Sequence, residues 1–296
     1  MEDKYVTIII PVYNDWARLS LCLTALANQS YPAELFEIII VNNNPANDLP
    51  PGFFIPSNCT IIKEGKAGSY AARNTALKIA LGQIIGFTDS DCIPDIHWIK
   101  NAVEHFANNE SCSRIGGKIF IFSKTINPTK AELYDKMYAF NQSRNVTTLG
   151  TSVTANLFTY KYVFDQIGLF DEKLMSGGDF SWGMLAHKAG YKIDYVESVI
   201  VNHPARYSLD DLITKEKRIG GAQALLFEKN KSKAANFYRF VRALVPRLQD
   251  LKYINHYGKD LSIYNKTNLF FIRHYLQTIR AYERFMVQLG RKARRH

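Results

Sequence analysis

The fold of this chain is decided by the stretch Gln83-Ile84-Ile85-Gly86-Phe87-Thr88-Asp89-Ser90-Asp91. Its apolar run has the length and composition of a buried strand. That strand would deliver two carboxylates, Asp89 and Asp91, to its carboxyl end. Mg²⁺ and Mn²⁺ prefer oxygen ligands, and a site with one or two carboxylates leaves coordination positions open for the phosphates of a nucleotide diphosphate. A plain turn or a helix cap is the alternative for these three residues.

Apolar runs alternate with helix-like segments on the amino-terminal side of this stretch. The predicted order is strand 6–12, helix 15–28, strand 37–41, strand 60–63, helix 69–81 and strand 83–88. Strands joined in this way are mostly parallel and buried on both faces, and ligands bind beyond their carboxyl ends. We therefore expect a mainly parallel α/β sheet flanked by helices. Asn14, residues 42–44 and residues 89–91 should lie along one edge of it.

Composition narrows the class of protein. The chain has 296 residues, of which 47% are apolar, so we expect a globular fold. Its four cysteines stand singly, which argues against a disulfide framework or a zinc site and favours a reducing compartment. The first residues are too acidic for a signal peptide. No stretch approaches the roughly 20 apolar residues of a membrane span, so we expect a cytoplasmic location.

The net charge of +10 is unevenly distributed. Residues 1–206 contain 18 Lys and Arg against 20 Asp and Glu, whereas residues 207–296 contain 19 against 7. This asymmetry predicts a boundary near residue 206, followed by a basic, mainly helical extension over 207–296. A nucleic acid, a membrane surface or an acidic polymer would suit such an extension.

Seven short motifs follow one another within residues 5–206. They are Ile10-Pro11-Val12-Tyr13-Asn14, Ile40-Val41-Asn42-Asn43-Asn44, Ala71-Ala72-Arg73-Asn74, Asp89-Ser90-Asp91, Thr154-Ala155-Asn156, Gly168-Leu169-Phe170-Asp171-Glu172 and Gly177-Gly178-Asp179. In this order and spacing the chain resembles family 2 glycosyltransferases of the GT-A fold. The resemblance implies a catalytic domain over 1–206, with a Rossmann-like mixed sheet and an acceptor side from about residue 150. It also implies an inverting hexosyltransferase that uses a nucleotide diphosphate sugar.

The resemblance implies a donor site on the loops after the first strands. The Pro11–Asn14 loop would pack on the nucleobase, and stacking on Tyr13 would contribute about 1 to 3 kcal/mol. The family usually has a carboxylate after the second strand that accepts the uracil imide proton. Here Asn42 and Asn43 would accept it more weakly, since a charge-assisted bond is roughly twice as strong as a neutral one. Base selectivity should therefore be softer; a UDP-sugar remains the favoured donor, with other nucleotides open. Lys66 and Arg73 would contact the nucleotide or be ordinary solvated cations.

The metal and the donor sugar are assigned by the same resemblance. Asp91 would be the main ligand of Mn²⁺ or Mg²⁺, while Asp89 and Ser90 would lie nearer the ribose or the metal shell. His203 resembles a histidine that joins the metal or the diphosphate, and a surface histidine is the alternative. Asn156 resembles a contact to the donor sugar.

On the acceptor side, Asp179 matches the base of the family. The usual motif there is Glu-Asp, whereas this chain has Gly178-Asp179, which puts acceptor recognition in doubt. A helix cap is the alternative role for Asp179. Trp182 would offer a stacking face to the acceptor sugar or lie in the core.

Functions of other classes are alternatives to this interpretation. A non-catalytic module that binds nucleotide sugars would explain the missing carboxylate at position 178 and the run of asparagines. A nucleotidyltransferase should have a Gly-rich, basic loop after its first strand, where this chain has residues 11–15. No nucleic-acid partner is expected, because the extension has no recognition motif. Assembly into a homo-oligomer is left open.

Residues 268–289 predict a basic amphipathic helix. Its apolar residues recur at helical spacing: Leu269, Ile272, Leu276, Ile279, Tyr282, Phe285, Met286 and Leu289. Its cations are Arg273, Arg280 and Arg284, followed by Arg291-Lys292-Ala293-Arg294-Arg295. Such helices bind anionic surfaces, so we expect docking on the inner face of a membrane, with a glycan or lipid-linked glycan as acceptor. Packing of the stripe on the catalytic domain or on a second subunit is the alternative.

Overall fold

A computed structural model describes residues 4–227 and 232–293 of the chain. The strands are β1 (Val6–Val12), β2 (Phe36–Asn42), β3 (Cys59–Lys63), β4 (Ile84–Phe87), β5 (Ile93–Pro94), β6 (Cys112–Phe122), β7 (Leu157–Tyr160) and β8 (Lys192–Pro204). The helices are α1 (Trp16–Ala27), α2 (Ser69–Leu77), α3 (Trp98–Asn108), α4 (Lys130–Tyr138), α5 (Gln142–Leu149), α6 (Lys161–Ile167), α7 (Gly178–Lys188), α8 (Leu209–Phe227), α9 (Lys233–Ala243), α10 (Leu248–Tyr257) and α11 (Ile263–Gln288). The strands and helices predicted up to residue 88 are confirmed within a few residues.

The strands described form one mixed sheet in the order β3-β2-β1-β4-β7-β6-β8-β5. The pairs β2–β3, β1–β2 and β1–β4 are parallel, whereas β7 pairs antiparallel with both β4 and β6. The predicted fold class is therefore confirmed. Because β1, β2 and β4 run in the same direction, the loops after all three strands leave the sheet at one edge.

The core lies on both faces of the parallel strands. Ile8, Ile9 and Ile10 are consecutive and all fully buried, which is the pattern of a strand covered on both sides. Gly86 of β4 lies at a close approach in the sheet, because a Cβ there would come within 2.6 Å of Ile8 and of Phe158. The apolar runs therefore locate the central strands, and Gly86 allows the neighbouring side chains to pack closely against β4.

Backbone packing divides the chain into two compact units. The sheet unit comprises Met1–Phe120, Phe140–Leu174 and Gly178–His203, and the helical unit comprises Ile121–Ala139, Met175–Gly177 and Pro204–His296. Residues 121–139 thus group with the carboxyl-terminal helices, which the sequence pattern did not indicate. The division into domains 1–206 and 207–296 stays a prediction.

Within the helical unit, α11 uses most of its apolar stripe for packing. Leu269 and Leu276 are buried in a cluster with Tyr134 and Leu212, and Phe285 stacks on Phe240. The predicted membrane-facing stripe is therefore wrong over most of its length, because α4, α8 and α9 cover it. Of its eight apolar residues, Tyr282 and Leu289 are exposed.

The arginines of α11 are also engaged within the helical unit. Arg273 donates to the Tyr134 hydroxyl at 3.0 Å, and Arg280 Nη2 donates to Glu216 Oε1 at 2.7 Å. Arg294 and Arg295 lie outside the described residues. Among the residues described, no helix is long and apolar enough to cross a membrane.

Candidate active site

The loop after β4 carries the two predicted metal carboxylates. Thr88 is buried and its hydroxyl donates to the Ala155 carbonyl at 3.1 Å, which fixes the end of the strand. The Cys92 amide then donates to the Asp89 carbonyl at 3.1 Å and closes a turn. Asp89, Ser90 and Asp91 are consequently half-buried at the edge of the sheet.

Asp91 is paired with an imidazole from the end of β8. Asp91 Oδ2 lies 3.6 Å from His203 Nε2, and His203 is buried with its ring against Phe140. Two ligands at about 2.1 Å from one ion can be separated by up to about 4.2 Å, so this pair fits a shared divalent cation. The surface alternative for His203 is wrong, because β8 and Phe140 enclose the ring.

Two neighbours of Asp91 were not predicted from the sequence. Cys92 Sγ lies within 4.8 Å of the Asp91 and His203 ligand atoms. Burial raises the pKa of this thiol well above its usual value, so it stays protonated, and hard cations prefer oxygen. Arg18 Nη1 donates to Asp91 Oδ2 at 3.3 Å and Arg18 Nη2 pairs with Asp15 at 2.7 Å. The Arg18 guanidinium therefore places a positive charge beside the Asp91 carboxylate that does not depend on a metal.

Asp89 is held by a different cation. Arg73 is buried on α2 and its Nη2 lies 2.5 Å from Asp89 Oδ1. The ligand atoms grouped around Asp91 among the described residues do not include Asp89. The solvated alternative for Arg73 is therefore wrong, because the guanidinium is buried and paired. A role of Asp89 toward ribose or metal stays a prediction.

The loops after β1 and β2 are tied together by asparagine side chains. Asn14 has a left-handed backbone with φ 59°, and its Oδ1 accepts bonds of 2.7 Å from Asn44 Nδ2 and from Asn47 Nδ2. Tyr13 is exposed beside this junction. Val12 has its side chain in the core, and Pro11 is half-buried at the end of β1. Of the four predicted base contacts, Tyr13 and Asn14 are thus exposed, and Tyr13 has the aromatic ring that stacking needs.

Asn42 and Asn43 hold the loop after β2. Asn42 Oδ1 accepts from the Asn44 amide at 2.9 Å, and Asn43 Oδ1 accepts from the Gly68 amide at 2.8 Å. Asn43 Nδ2 donates to the carbonyls of Glu64 and Lys66. Both side chains are buried and already bonded in holding the loops, which gives no support to a bond with an imide proton, so their contact with the base stays a prediction.

Asn156 and Trp182 are buried structural residues. Asn156 is 0% exposed, its Oδ1 accepts from Trp98 Nε1, and its Nδ2 donates to two backbone carbonyls. Trp182 is 2% exposed, stacks on Phe164 with centroids 4.3 Å apart and donates to the Gly168 carbonyl. The donor-sugar role of Asn156 and the acceptor role of Trp182 are therefore wrong. The sequence could not reveal this, because their partners are distant along the chain.

Asp179 lies in the first turn of α7 and is held by three donors. Tyr70 donates its hydroxyl to Oδ1 at 3.0 Å, the Thr154 amide donates to Oδ2 at 3.3 Å, and the Phe180 amide donates to Oδ1 at 2.9 Å. Burial, and then the nearby Asp179 charge, raise the pKa of Tyr70, so the phenol remains a donor. A carboxylate has about four lone-pair sites, so one remains for a further proton.

Tyr70 also explains the glycine at position 178. A Cβ on Gly178 would lie 2.7 to 2.9 Å from three atoms of the Tyr70 ring, closer than side chains approach. The space that a glutamate would need is thus filled by the phenol ring. Sequence reasoning missed Tyr70, because nothing at the start of α2 links it to residue 179.

Gly178→Ala should destabilise the protein by about 1 to 3 kcal/mol, the usual cost of overpacking. The loss would be measured by urea unfolding, with Gly65→Ala as the matched control, because a Cβ at Gly65 meets nothing within 4 Å. In a Tyr70→Ala background the cost of Gly178→Ala should shrink. An equal cost in both backgrounds would contradict the assigned clash.

Tyr70→Phe should lower turnover on the order of tenfold, the size of effect that outer partners of a site exert. The effect should fall on kcat and leave the KM for the donor near its wild-type value, because the Tyr70 hydroxyl contacts Asp179. Steady-state kinetics with varied donor concentration measures both values. Tyr162→Phe is the control, since that exposed hydroxyl bonds Ser113 instead. An unchanged kcat would argue against a positioning role.

Lys66 projects from the loop before α2. Its ammonium pairs with Glu172, and Asn74 Nδ2 donates to Glu172 Oε1 at 3.1 Å and to the Phe170 carbonyl at 2.9 Å. The pairing raises the pKa of Lys66 and lowers that of Glu172, so both stay charged near neutral pH. Lys66 is exposed, and its contact with the nucleotide stays a prediction.

Comparison with known proteins identifies the family. The model of glycosyl transferase family 2 matches residues 7–167. Glycosyltransferase AglE of Haloferax volcanii is 33% identical over 224 residues, which cover 74% of this chain and 73% of that protein. The chain belongs to glycosyltransferase family 2. It is an enzyme of the hexosyltransferase type that uses a nucleotide-sugar donor, so the alternative of a non-catalytic module is not supported.

Further relatives of this glycosyltransferase agree with the fold. A dolichyl N-acetyl-alpha-D-glucosaminyl phosphate 3-beta-D-2,3-diacetamido-2,3-dideoxy-beta-D-glucuronosyltransferase of Methanococcus voltae is 23% identical over 76% of this chain and 75% of its own length. A mannosyltransferase of Pyrobaculum calidifontis, solved with GDP-Man and Mn²⁺, aligns with a TM-score of 0.58 at 17% identity, covering 97% of this chain and 87% of that one. S. aureus TarS 1–349, solved with UDP-GlcNAc, aligns at 0.55 and 16% identity, covering 97% and 91%.

Proposed function

We propose that this enzyme transfers a sugar with inversion from a nucleotide diphosphate sugar to a hydroxyl of a lipid-linked glycan. The observation that carries the proposal is Asp179, a carboxylate held by three donors with one lone-pair site left. In the proposed reaction the acceptor hydroxyl gives its proton to Asp179 as its oxygen bonds to the anomeric carbon. The diphosphate leaves with the electron pair of the bond that breaks. One displacement inverts the anomeric configuration.

Asp91 and His203 would hold a divalent cation, Mn²⁺ or Mg²⁺. Their oxygen and nitrogen donors and their separation of 3.6 Å support this assignment. When bound, the cation would neutralise charge on the departing diphosphate. Arg18 contributes a further positive charge beside Asp91.

The preference for UDP comes from the resemblance to the family. Asn42 and Asn43 stand where the family usually has a carboxylate, and both side chains are bonded within the loops. We keep a UDP-sugar as the first donor to be tested and GDP-sugars as the second. Stacking on the exposed Tyr13 would accept either base, because every base has a π face.

A lipid-linked acceptor is supported by the relative from Methanococcus voltae, whose name specifies a dolichyl phosphate-linked sugar as its substrate. A cytoplasmic location at the inner face of a membrane belongs to the same proposal. Assembly into a homo-oligomer stays a prediction.

The test of the proposed function is the stereochemistry of transfer. Purified enzyme would be incubated with UDP- and GDP-sugars and a synthetic polyprenyl-phosphate-linked acceptor, and the anomeric configuration of the product read by NMR. An inverted product is expected. A retained configuration would overturn the role of Asp179 as base in a single displacement.

A further inference from the structure

The outward side of α9, with the turn into α10, carries a group of exposed apolar side chains. On the inward side, Asn236 is buried and Phe240 stacks on Phe285 with centroids 5.2 Å apart. The outward side carries six large apolar residues that are 43% to 72% exposed. They are Phe237, Tyr238, Val241, Leu244, Val245 and Leu248, which together are called the α9–α10 surface below.

The charge of this segment has a single sign. Residues 232–249 contain four Lys and Arg and no Asp or Glu. Arg242 and Arg247 are exposed and alternate with the apolar residues. Large exposed apolar patches mark interaction sites on proteins, and here the partner must also accept cations.

An anionic bilayer fits both properties. Apolar side chains of an interfacial helix enter the boundary between headgroups and acyl chains, while guanidinium groups remain at the phosphates. A second copy of this chain fits less well, because a two-fold contact through the same surface would bring its cations face to face. A groove on an acidic protein fits less well, because it would have to bury six large apolar side chains as well as accept the cations.

We propose that the α9–α10 surface docks this glycosyltransferase on an anionic membrane. This surface takes the membrane-docking role that the sequence predicted for the apolar stripe of α11, because most of that stripe packs within the helical unit. The inference deepens the proposed use of a lipid-linked acceptor. Docking is measured as vesicle binding in the absence of donor and acceptor. A negative result would therefore leave the proposed transfer reaction intact, and a failure of transfer would leave docking intact.

The experiment is sedimentation of the full chain with phosphatidylcholine vesicles that contain or lack phosphatidylglycerol. Binding to the anionic vesicles at low salt, and its loss at high salt, is expected. Arg242→Gln with Arg247→Gln should lower partition about 30-fold, since each cation contributes a factor of about five. Val245→Ser with Leu248→Ser should lower it by at least about tenfold, because both side chains lose apolar burial.

Two matched controls keep the test specific. Ile126→Ser removes an apolar residue that is 99% exposed elsewhere in the helical unit, and Lys192→Gln removes an exposed cation of β8. Both should bind vesicles like the wild type, and thermal unfolding should show all variants folded.

Three outcomes would overturn the proposal. The first is no binding of the full chain to anionic vesicles, and the second is equal binding by the control and α9–α10 variants. The third is a concentration-dependent dimer that Val245→Ser with Leu248→Ser abolishes while vesicles are not bound. That last result would assign the surface to a second copy of the chain.

Discussion

Asp91→Ala should abolish sugar transfer, with turnover lowered by at least about 10³-fold. Asp91 supplies the carboxylate nearest His203, at 3.6 Å, and loss of a cation that neutralises a departing diphosphate removes several kcal/mol of transition-state stabilisation. Binding of Mn²⁺ to the protein without donor, measured by calorimetry, should also be lost. The two readouts separate a missing metal ligand from a general loss of activity.

Asp165→Ala is the matched control, because that carboxylate is exposed on α6. It should retain both Mn²⁺ binding and turnover. His203→Ala should weaken Mn²⁺ binding, with thermal unfolding recorded because the ring is buried. If protein treated with a chelator transfers sugar as fast as Mn²⁺-loaded protein, the metal assignment of Asp91 and His203 is wrong.

Asp179→Asn should lower turnover by about 10² to 10⁴, the usual contribution of a positioned base. An amide keeps the shape of the side chain, and its one oxygen can still accept from the Tyr70 hydroxyl and the Phe180 amide, whereas the bond from the Thr154 amide is lost. It cannot take a proton from the acceptor. Donor affinity, measured by calorimetry, should be unchanged, so the effect should fall on kcat and not on donor binding.

For this variant Asp165→Asn is the control, and it should behave like the wild type. Near-normal turnover of Asp179→Asn would leave Asp179 with the helix-capping role considered from the sequence. A parallel loss of donor affinity and turnover would instead indicate that the loops around Asp179 have moved.

By itself the sequence determined the central strands, the edge of the sheet that carries the site, and the family. A strand buried on both faces must be apolar at every position, as in Ile8 to Ile10, so a continuous run reveals it. Asp89 and Asp91 follow such a run directly, so their place at the edge is a local property of the chain. The ordered motifs then identify the family without any long-range contact.

Only the tertiary structure decided what each side chain of those motifs does. Tyr70 and Asp179 are 109 residues apart, and Arg18 and Asp91 are 73 apart, yet each pair is hydrogen-bonded. Asn156 resembles a ligand contact in sequence, but its amide is hydrogen-bonded to Trp98 and to two backbone carbonyls that are distant along the chain. A polar side chain binds a ligand or stabilises a loop according to which partners folding brings near it, and buried polar groups must be hydrogen-bonded. Apolar periodicity carries no information about those partners, which is why the strands were predictable and the roles of the asparagines were not.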